Sequence, residues 1–318
     1  MPRHHTVEVN GLRLHVAEEG EGPLVLLLHG FPEFWYSWRH QLTALAQAGY
    51  RVVAPDQRGY GSSDRPDSPD AYSILHLSGD VVGLIHALGE RQAFVIGHDW
   101  GALVAWSTAT MRPDVVRGVA GLSVLPPARG PLPPLRQTRE KFDGRFYWNY
   151  FEQPGVAEAE FGKDPDRTFR RLLFGASGDR QLSGPPGPPL VPPGGGFLDL
   201  AADPERLPPW LTEEDIAAYV AAFERSGFTG PLNWYRNLDR NWELTATWAG
   251  ARIDVPALFV IGDRDRAFPG RDGIVDALSA AAPHHREPVI VAGAGHWVQQ
   301  ERPAEVGDAL VSFLASLA

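Results

Sequence analysis

The chain contains no cysteine, so it has no disulfide framework, no thiolate nucleophile and no cysteine-based metal site. The first residues lack the apolar segment of a signal peptide, and no apolar run approaches the length that crosses a membrane. Because a signal peptide and a membrane-spanning run are both absent, we expect a soluble, cytoplasmic protein that has no membrane partner.

Basic residues are also scarce, because 29 Lys and Arg stand against 39 Asp and Glu, which leaves a formal net charge of −10. This balance argues against binding to nucleic acid or to an anionic membrane surface. No group of His and carboxylate residues has the spacing of metal ligands. We therefore expect neither a metal ion nor an organic cofactor.

The chain is rich in core-forming residues: 43% of its 318 residues are hydrophobic, and ten are Trp. Apolar runs alternate with helical periodicity, which predicts βαβ units and a mostly parallel sheet flanked by helices. The Asn10-Gly11 dipeptide predicts a hairpin between the first two strands. Besides the strand that ends near residue 97, we predict strands at 6–9, 12–17, 24–28, 50–54, 115–122, 256–261 and 287–291, and helices at 36–48, 73–88, 271–281 and 303–317.

The α/β alternation is interrupted between residues 127 and 249, where the chain is helical and aromatic and has no buried-strand runs. We interpret 127–249 as an inserted helical cap, and 1–126 with 250–318 as the α/β core. Within the cap, the tract 184–196 is dominated by Pro and Gly. This composition predicts a surface excursion or a mobile loop.

The most informative stretch is the apolar run that ends in G-H-D-W-G at residues 97–101, directly before a helical pattern. This is the strand–turn–helix context of a nucleophile elbow, with Asp99 at the position of the nucleophile. A carboxylate can attack an electrophilic carbon and form an ester. The elbow therefore predicts displacement at carbon, followed by hydrolysis of an ester on the enzyme.

Two later strands also end in polar residues. The strand at 256–261 leads into Gly-Asp-Arg-Asp at 262–265, and the last strand leads into Gly-His-Trp at 295–297. His296 is the expected base that activates water, and Asp265 is the expected acid that orients it, with Asp263 as the alternative. All three members follow strands in the order nucleophile, acid, base, which favours a catalytic interpretation over a structural one.

The sequence resembles the α/β-hydrolase-fold epoxide hydrolases, and it is similar to the hydrolase domain of soluble epoxide hydrolases. The resemblance spans almost the whole chain, except for the tract 184–196. The matching runs are H-G-F-P-E-F-W-Y-S-W-R at 29–39, D-Q-R-G-Y-G at 56–61, G-H-D-W-G at 97–101, G-P-L-N-W-Y-R-N at 230–237 and G-H-W at 295–297.

The resemblance implies that Asp99 opens an epoxide and that water activated by His296 and Asp265 then releases a vicinal diol. The backbone N–H groups of Phe31 and Trp100 would form the oxyanion hole. Two cap tyrosines would donate to the epoxide oxygen; they correspond to Tyr235 and Tyr147, with Tyr150 as the alternative to Tyr147. The residues expected to bind a small, mainly apolar epoxide are His29, Pro32, Trp148, Phe151, Trp234 and Trp297.

Other functions are less consistent with the same residues. A haloalkane dehalogenase shares the triad, and Trp100 could serve its halide site, but position 31 is Phe and not Asn, so a cap Trp would have to supply the second donor. A fluoroacetate dehalogenase would place arginines beside the elbow, where this chain has Trp100 and Ala102. A carboxylesterase would need Ser at position 99, and a ligand-binding pseudoenzyme would not need the full set of catalytic residues. A monomer and a homodimer are equally compatible with the sequence.

Overall fold

The structure is a computed structural model that describes residues 1–180 and 187–317. In this part of the chain, one eight-stranded sheet has the strand order β1-β2-β4-β3-β5-β6-β7-β8. The pairs β1/β2 and β2/β4 are antiparallel, and the remaining pairs are parallel. The strands are β1 Arg3–Val9, β2 Leu12–Glu19, β3 Leu24–Leu28, β4 Arg51–Pro55, β5 Ala93–His98, β6 Val116–Leu122, β7 Ala257–Gly262 and β8 Val289–Val291.

Helices cover both faces of the sheet and also form the segment between β6 and β7. Among the described helices, none is long and apolar enough to cross a membrane. The α-helices are α1 Arg39–Gln47, α2 Ile74–Ala87, α3 Trp100–Met111, α4 Pro134–Phe142, α5 Tyr147–Glu152, α6 Val156–Lys163, α7 Pro165–Ala176, α8 Glu213–Ser226, α9 Thr229–Arg236, α10 Leu238–Leu244, α11 Arg271–Ala281, α12 Val298–Glu301 and α13 Pro303–Ala315. We call α4 to α10 and their connections the cap, and the rest of the chain the core.

The central strands are buried on both faces, as their continuous apolar sequences predict. Along β3, Leu24, Leu26 and Leu28 pack into the cluster that includes α2, α3 and the cap. Val25 and Leu27 face the opposite cluster, which includes α1 and α13. The fold class predicted from the sequence, an α/β-hydrolase fold with a mostly parallel eight-stranded sheet, is confirmed.

Local chemistry explains several element boundaries. Asn10 and Gly11 both have positive φ, 52° and 79°, as the tight hairpin between β1 and β2 requires. Proline occupies one of the first two positions of α4, α7 and α13. A backbone N–H at these positions has no acceptor within the helix, so its absence in proline costs no hydrogen bond. At the start of α8, Thr212 and Asp215 form a reciprocal capping box.

Besides shifts of a few residues at element ends, such as β1, which begins at Arg3 and not at residue 6, the structure departs from the prediction in three places. The predicted helix at 36–48 is a 3₁₀ turn, Trp35–Trp38, followed by α1. Strand β8 is three residues long and pairs with β7 alone, so the predicted strand at 287–291 is shorter at the sheet edge. Helix α12 was not predicted, because one turn is too short to show a hydrophobic period.

Of the Pro/Gly tract 184–196, residues 184–186 lie outside the described residues, and most of 187–196 is exposed or half-buried, as a surface excursion requires. Val191 is buried, and its N–H donates to the carbonyl oxygen of Arg145 at 2.8 Å. The carbonyl oxygen of Pro189 accepts the N–H of Tyr147 at 3.2 Å. The segment 187–191 therefore packs against the beginning of α5, where these hydrogen bonds replace those of regular structure.

Candidate active site

Asp99 occupies a strained turn between β5 and α3, with φ 52° and ψ −119°. A non-glycine residue adopts positive φ rarely, and such residues cluster at functional sites. The turn is tight because Gly97 and Gly101 have no side chain: a Cβ at Gly97 would overlap the backbone of Gly101, and one at Gly101 would overlap the carbonyl oxygen of Leu28. The close packing of strand and helix therefore directs the Asp99 side chain away from the sheet edge.

The loop after β3 lies against this carboxylate. The N–H of Phe31 donates to Oδ1 of Asp99 at 2.9 Å. The N–H of Trp100 belongs to the first residue of α3, where no intrahelical acceptor exists. Burial raises the pKa of Asp99, but the hydrogen bond and charge of His296 outweigh that effect and hold the pKa below its usual value. Asp99 is thus an anion at neutral pH.

His296 lies between two carboxylates. Its Nδ1 is 3.0 Å from Oδ2 of Asp265, and its Nε2 is 3.5 Å from Oδ2 of Asp99. The alternative acid, Asp263, is exposed, and its Oδ1 accepts the N–H of Gly293 at 2.7 Å. Of the two candidates that the sequence left open, only Asp265 reaches the imidazole.

The charge of His296 depends on these neighbours. Burial lowers the pKa of its imidazole, but the carboxylates of Asp265 and Asp99 outweigh burial and raise that pKa well above its usual value. Esterification of Asp99 would remove one of the two negative charges. The pKa of His296 would then fall, which favours the neutral imidazole that a general base requires.

Two tyrosines approach from the cap. Tyr147 on α5 and Tyr235 on α9 have ring centroids 5.9 Å apart and line the same cavity as Asp99. Burial raises the pKa of both hydroxyls, and the negative charge of Asp99 raises them further. Both groups are therefore protonated donors at neutral pH. The alternative, Tyr150, donates to Oε2 of Glu160 at 3.0 Å and does not line the cavity.

The cavity has a volume of about 460 Å³ and lies between the sheet edge and the cap. Besides Asp99, Asp265, His296 and the two tyrosines, four residues named from the sequence line it: Phe31, Pro32, Phe151 and Trp297. The indole N–H of Trp297 donates to the carbonyl oxygen of Leu173 at 2.7 Å, so this ring is a fixed part of the wall. Among the described residues, no group of three or more His or carboxylate side chains is placed to hold a metal ion.

Three residues expected to bind substrate lie elsewhere, and here the prediction needs correction. His29 is fully buried behind the site, where its Nε2 accepts the N–H of Gln57 at 3.0 Å. Trp234 is fully buried and donates to the carbonyl oxygen of Arg58 at 3.3 Å. Trp148 packs edge-on against Phe146, with ring centroids 5.0 Å apart. These side chains support the loops and helices around the cavity but do not line it.

The sequence reasoning missed a buried pair beneath the nucleophile, Glu33 and His98. Oε2 of Glu33 is 2.6 Å from Nδ1 of His98 and also accepts the N–H of Gly30 at 2.9 Å. Nε2 of His98 is 2.8 Å from the carbonyl oxygen of His296. The His98 ring thus bridges the Glu33 carboxyl group and the carbonyl oxygen of His296. In the sequence, the only sign of this pair was the charged residue Glu33 among the apolar residues of the motif at 29–39.

Glu301 on α12 is a second missed residue. Its carboxylate accepts the N–H groups of Gly295 at 3.0 Å and Trp297 at 3.1 Å, which flank His296. It also accepts the N–H of Gly178, at the end of α7, at 2.8 Å. Glu301 thus joins the histidine loop to the cap. Sequence spacing carried no sign of this role, because the partners are backbone groups.

Comparison with known proteins agrees with this geometry. A family model for the alpha/beta hydrolase fold matches residues 23–303. Epoxide hydrolase A of Mycobacterium tuberculosis is 47% identical over 99% of this chain and 98% of its own length. The chain belongs to the epoxide hydrolase family.

Other members of the family extend this similarity to plants and to solved structures. Epoxide hydrolase 3 of Siraitia grosvenorii is 44% identical, and the match covers 98% of both chains. The crystal structure of Epoxide Hydrolase A from Mycobacterium thermoresistibile is 49% identical and superposes with a TM-score of 0.89 over 99% of this chain and 98% of that one. An epoxide hydrolase from an endophytic Streptomyces, 44% identical, has a TM-score of 0.93 and matches over 99% and 96% of the two chains.

Proposed function

We propose that this protein is an epoxide hydrolase that converts an epoxide into a vicinal diol through an ester on Asp99. One observation carries the proposal. A partly buried, ionised carboxylate faces a cavity between two protonated tyrosines and a histidine that is paired with a second carboxylate. This arrangement supplies a nucleophile for carbon, acids for the departing oxygen and a base for water.

In the first step, Oδ2 of Asp99 attacks one carbon of the oxirane ring, and the bond between that carbon and the ring oxygen breaks. The hydroxyls of Tyr147 and Tyr235 donate to the oxygen as its negative charge develops, and one proton passes to it. Oδ1 stays in contact with the N–H of Phe31. The product of this step is a hydroxyalkyl ester.

In the second step, Nε2 of His296 takes a proton from water, and the hydroxide attacks the ester carbonyl carbon. The negative charge collects on Oδ1, where the N–H groups of Phe31 and Trp100 stabilise it. The bond between that carbon and Oδ2 then breaks, the diol leaves with Oδ2, and the water oxygen remains on Asp99. The departing oxygen takes its proton from the carboxylic acid that forms on Asp99, and the imidazolium, which Asp265 stabilises, returns its proton to the tyrosine that protonated the epoxide oxygen.

The dehalogenase alternative receives no support from the cavity wall. A halide site needs N–H donors that point into the cavity. Among the described residues, Trp297 is the only Trp that lines the cavity, and no Asn lines it. The indole N–H of Trp297 is already donated to Leu173.

Several finer statements remain predictions. The aromatic and aliphatic wall favours a mainly apolar epoxide. The division into a core of 1–126 with 250–318 and a cap of 127–249, the cytoplasmic location and a monomeric or homodimeric state rest on the sequence alone.

The direct test is to incubate the protein with styrene oxide and, separately, with a 1-haloalkane, and to measure diol formation and halide release. We expect diol from the epoxide, no halide, and a loss of at least about 10⁴-fold in the Asp99→Ala variant. Halide release without diol would refute the proposal.

The ester itself can be trapped. In His296→Gln the first step is retained while hydrolysis slows, so we expect the intact protein to gain the mass of one epoxide molecule. The double variant that also carries Asp99→Ala is the control and should gain nothing. Diol formation that proceeds in His296→Gln at the wild-type rate would contradict the assignment of the base.

A further inference from the structure

The cavity carries more positive charge than the proposed reaction uses. Apart from Asp99, Asp265 and His296, the charged residues that line it are Arg171, Arg180 and Arg266. The protein as a whole has a net charge of −10, so three arginines that line one cavity contrast with the acidic composition of the chain.

Arg171 is compensated by the cap itself. Its guanidinium donates to both carboxylate oxygens of Asp203, at 2.6 and 2.8 Å. Nearby on the cap, Arg167 also pairs with Asp203, and Arg170 pairs with Asp166. Pairing with a carboxylate is therefore the common arrangement on this face of the cap. The charge of Arg171 is balanced by Asp203 without any ligand.

Arg180 and Arg266 differ from this pattern. Arg180 donates to the carbonyl oxygens of Gly175 at 2.7 Å and Leu200 at 2.9 Å, which orient its guanidinium without cancelling its charge. Arg266 forms no hydrogen bond or ion pair through its side chain with any residue in 1–180 or 187–317. The segment 181–186, which lies outside those ranges, contains no Asp or Glu.

The two guanidinium groups are partly buried and close together. Burial lowers the pKa of both, and the positive charge of Arg266 lowers the pKa of Arg180 further. Holding two uncompensated like charges at a partly desolvated wall is unfavourable. A bound anion would remove this cost.

These arginines lie where the catalytic cavity meets a second cavity of about 500 Å³. The two cavities share Gly175, Ala176, Arg180, Asp265 and Arg266. The second cavity is also lined by the exposed carboxylates of Asp179 and Asp263, but neither forms an ion pair with Arg180 or Arg266 in the described part of the chain. Besides the arginines, the wall of the catalytic cavity includes the apolar residues Leu172, Phe197, Leu200 and Ala201.

We propose that Arg180 and Arg266 form an anion subsite that binds a carboxylate at the far end of the epoxide substrate. The oxirane would lie at Asp99, an apolar chain would cross the wall, and the carboxylate would accept hydrogen bonds from the two guanidinium groups. Arginine suits this role because its planar fork matches a carboxylate. The inference rests on the proposed epoxide hydrolase function and specifies its substrate class as anionic epoxides.

The test compares terminal epoxides of one chain length that end in either a carboxylate or a carboxamide, over a series from hexanoate to undecanoate. In the wild type we expect the carboxylate to have the higher kcat/KM at one or more chain lengths. Arg180→Gln and Arg266→Gln should each lower that preference roughly tenfold, the effect of losing one charge-assisted hydrogen bond. Because both arginines line the catalytic cavity, the carboxamide of the same chain length is the internal reference in each variant.

Arg264→Gln is the matched control. It removes the same charge from the same loop, but Arg264 donates to the carbonyl oxygen of Gly178 and does not line the catalytic cavity. The preference should persist in this variant. If the preference for the carboxylate fell equally in Arg264→Gln, it would depend on the total charge of the loop, and the subsite would be overturned. Equal kcat/KM values of the wild type for carboxylate and carboxamide would overturn it as well.

Binding of undecanoate, measured by calorimetry, separates this proposal from the catalytic one. Undecanoate has the carboxylate but no oxirane, so it reports on the subsite even if styrene oxide is not hydrolysed. We expect roughly tenfold weaker binding in Arg266→Gln. Undecanoate that binds without competing with styrene oxide would indicate a separate anion site and would contradict a carboxylate tethered to the substrate.

Discussion

In the core, backbone geometry positions the proposed catalytic groups, whereas in the cap, side chains position them. The Asp99 side chain is directed by a tight turn, which forms because Gly97 and Gly101 have no side chains. The backbone N–H groups of Gly295 and Trp297, on either side of His296, donate to the Glu301 carboxylate. Tyr147 and Tyr235, by contrast, are held by aromatic neighbours such as Phe151, whose ring centroid is 4.9 Å from that of Tyr235.

The two regions also use charge differently. The core encloses the ion pair of Arg58 with Asp80, whose side chains are almost inaccessible to solvent. The cap carries exposed pairs such as Arg167 with Asp203 and Arg136 with Glu140. Exposed pairs contribute little to stability, so the cap depends mainly on packing. We infer that the core supplies the nucleophile and the base, whereas the cap supplies the hydroxyl donors and much of the apolar cavity wall.

The largest difference should be seen in the core acid. In Asp265→Asn the carboxylate that raises the pKa of His296 is lost, so that pKa falls. Because the base must be neutral, the acidic limb of the kcat–pH profile should move to lower pH. The maximal rate should fall on the order of 100- to 1,000-fold, since the imidazole loses its orienting anion.

Asp263→Asn is the control for this change, since Asp263 is exposed and its carboxylate accepts a backbone N–H away from the imidazole. We expect neither the rate nor the pH profile to move. If the limb shifts to higher pH in Asp265→Asn, the electrostatic account of His296 is wrong.

A pair of helix glycines tests whether backbone packing is as tight in the cap as in the core. Gly101→Ala in α3 should lower the free energy of unfolding by about 3 kcal/mol, because the new methyl group overlaps the backbone of Leu28. Gly162→Ala in α6 meets no atom within 4 Å and should be neutral or raise that free energy by up to about 0.5 kcal/mol. Urea unfolding measures both, and equal effects would remove the distinction.

The smallest effect concerns the cap donors. Tyr235→Phe should slow ester formation about 10- to 100-fold, because the developing alkoxide loses one of its two hydroxyl donors. Tyr150→Phe should leave the rate unchanged, since the Tyr150 hydroxyl is donated to Glu160 outside the cavity. Single-turnover mixing with styrene oxide resolves this step, and equal rates in Tyr235→Phe and the wild type would exclude Tyr235 as a donor.

Much of the architecture could be predicted because local signals agreed with the final fold. Continuous apolar runs such as Leu24–Leu28 are strands, and the Asn10-Gly11 turn forms the expected hairpin. Predictions were weaker where the deciding interactions are distant in sequence. His29 and Trp234 belong to motifs of the family, yet both are buried behind the site because each is hydrogen-bonded to the loop at 56–61.

The sequence by itself determined the fold class, the elbow at Asp99 and the order of the three triad positions, because these depend on local backbone geometry and on chain order. Only the tertiary structure decided between Asp263 and Asp265 and between Tyr147 and Tyr150, where the two candidates are two or three residues apart. It also brought Arg180, from the loop after the cap helix α7, to the same cavity as Arg266, from the loop after β7. Such choices depend on the direction of a side chain in space, which spacing along the chain does not specify.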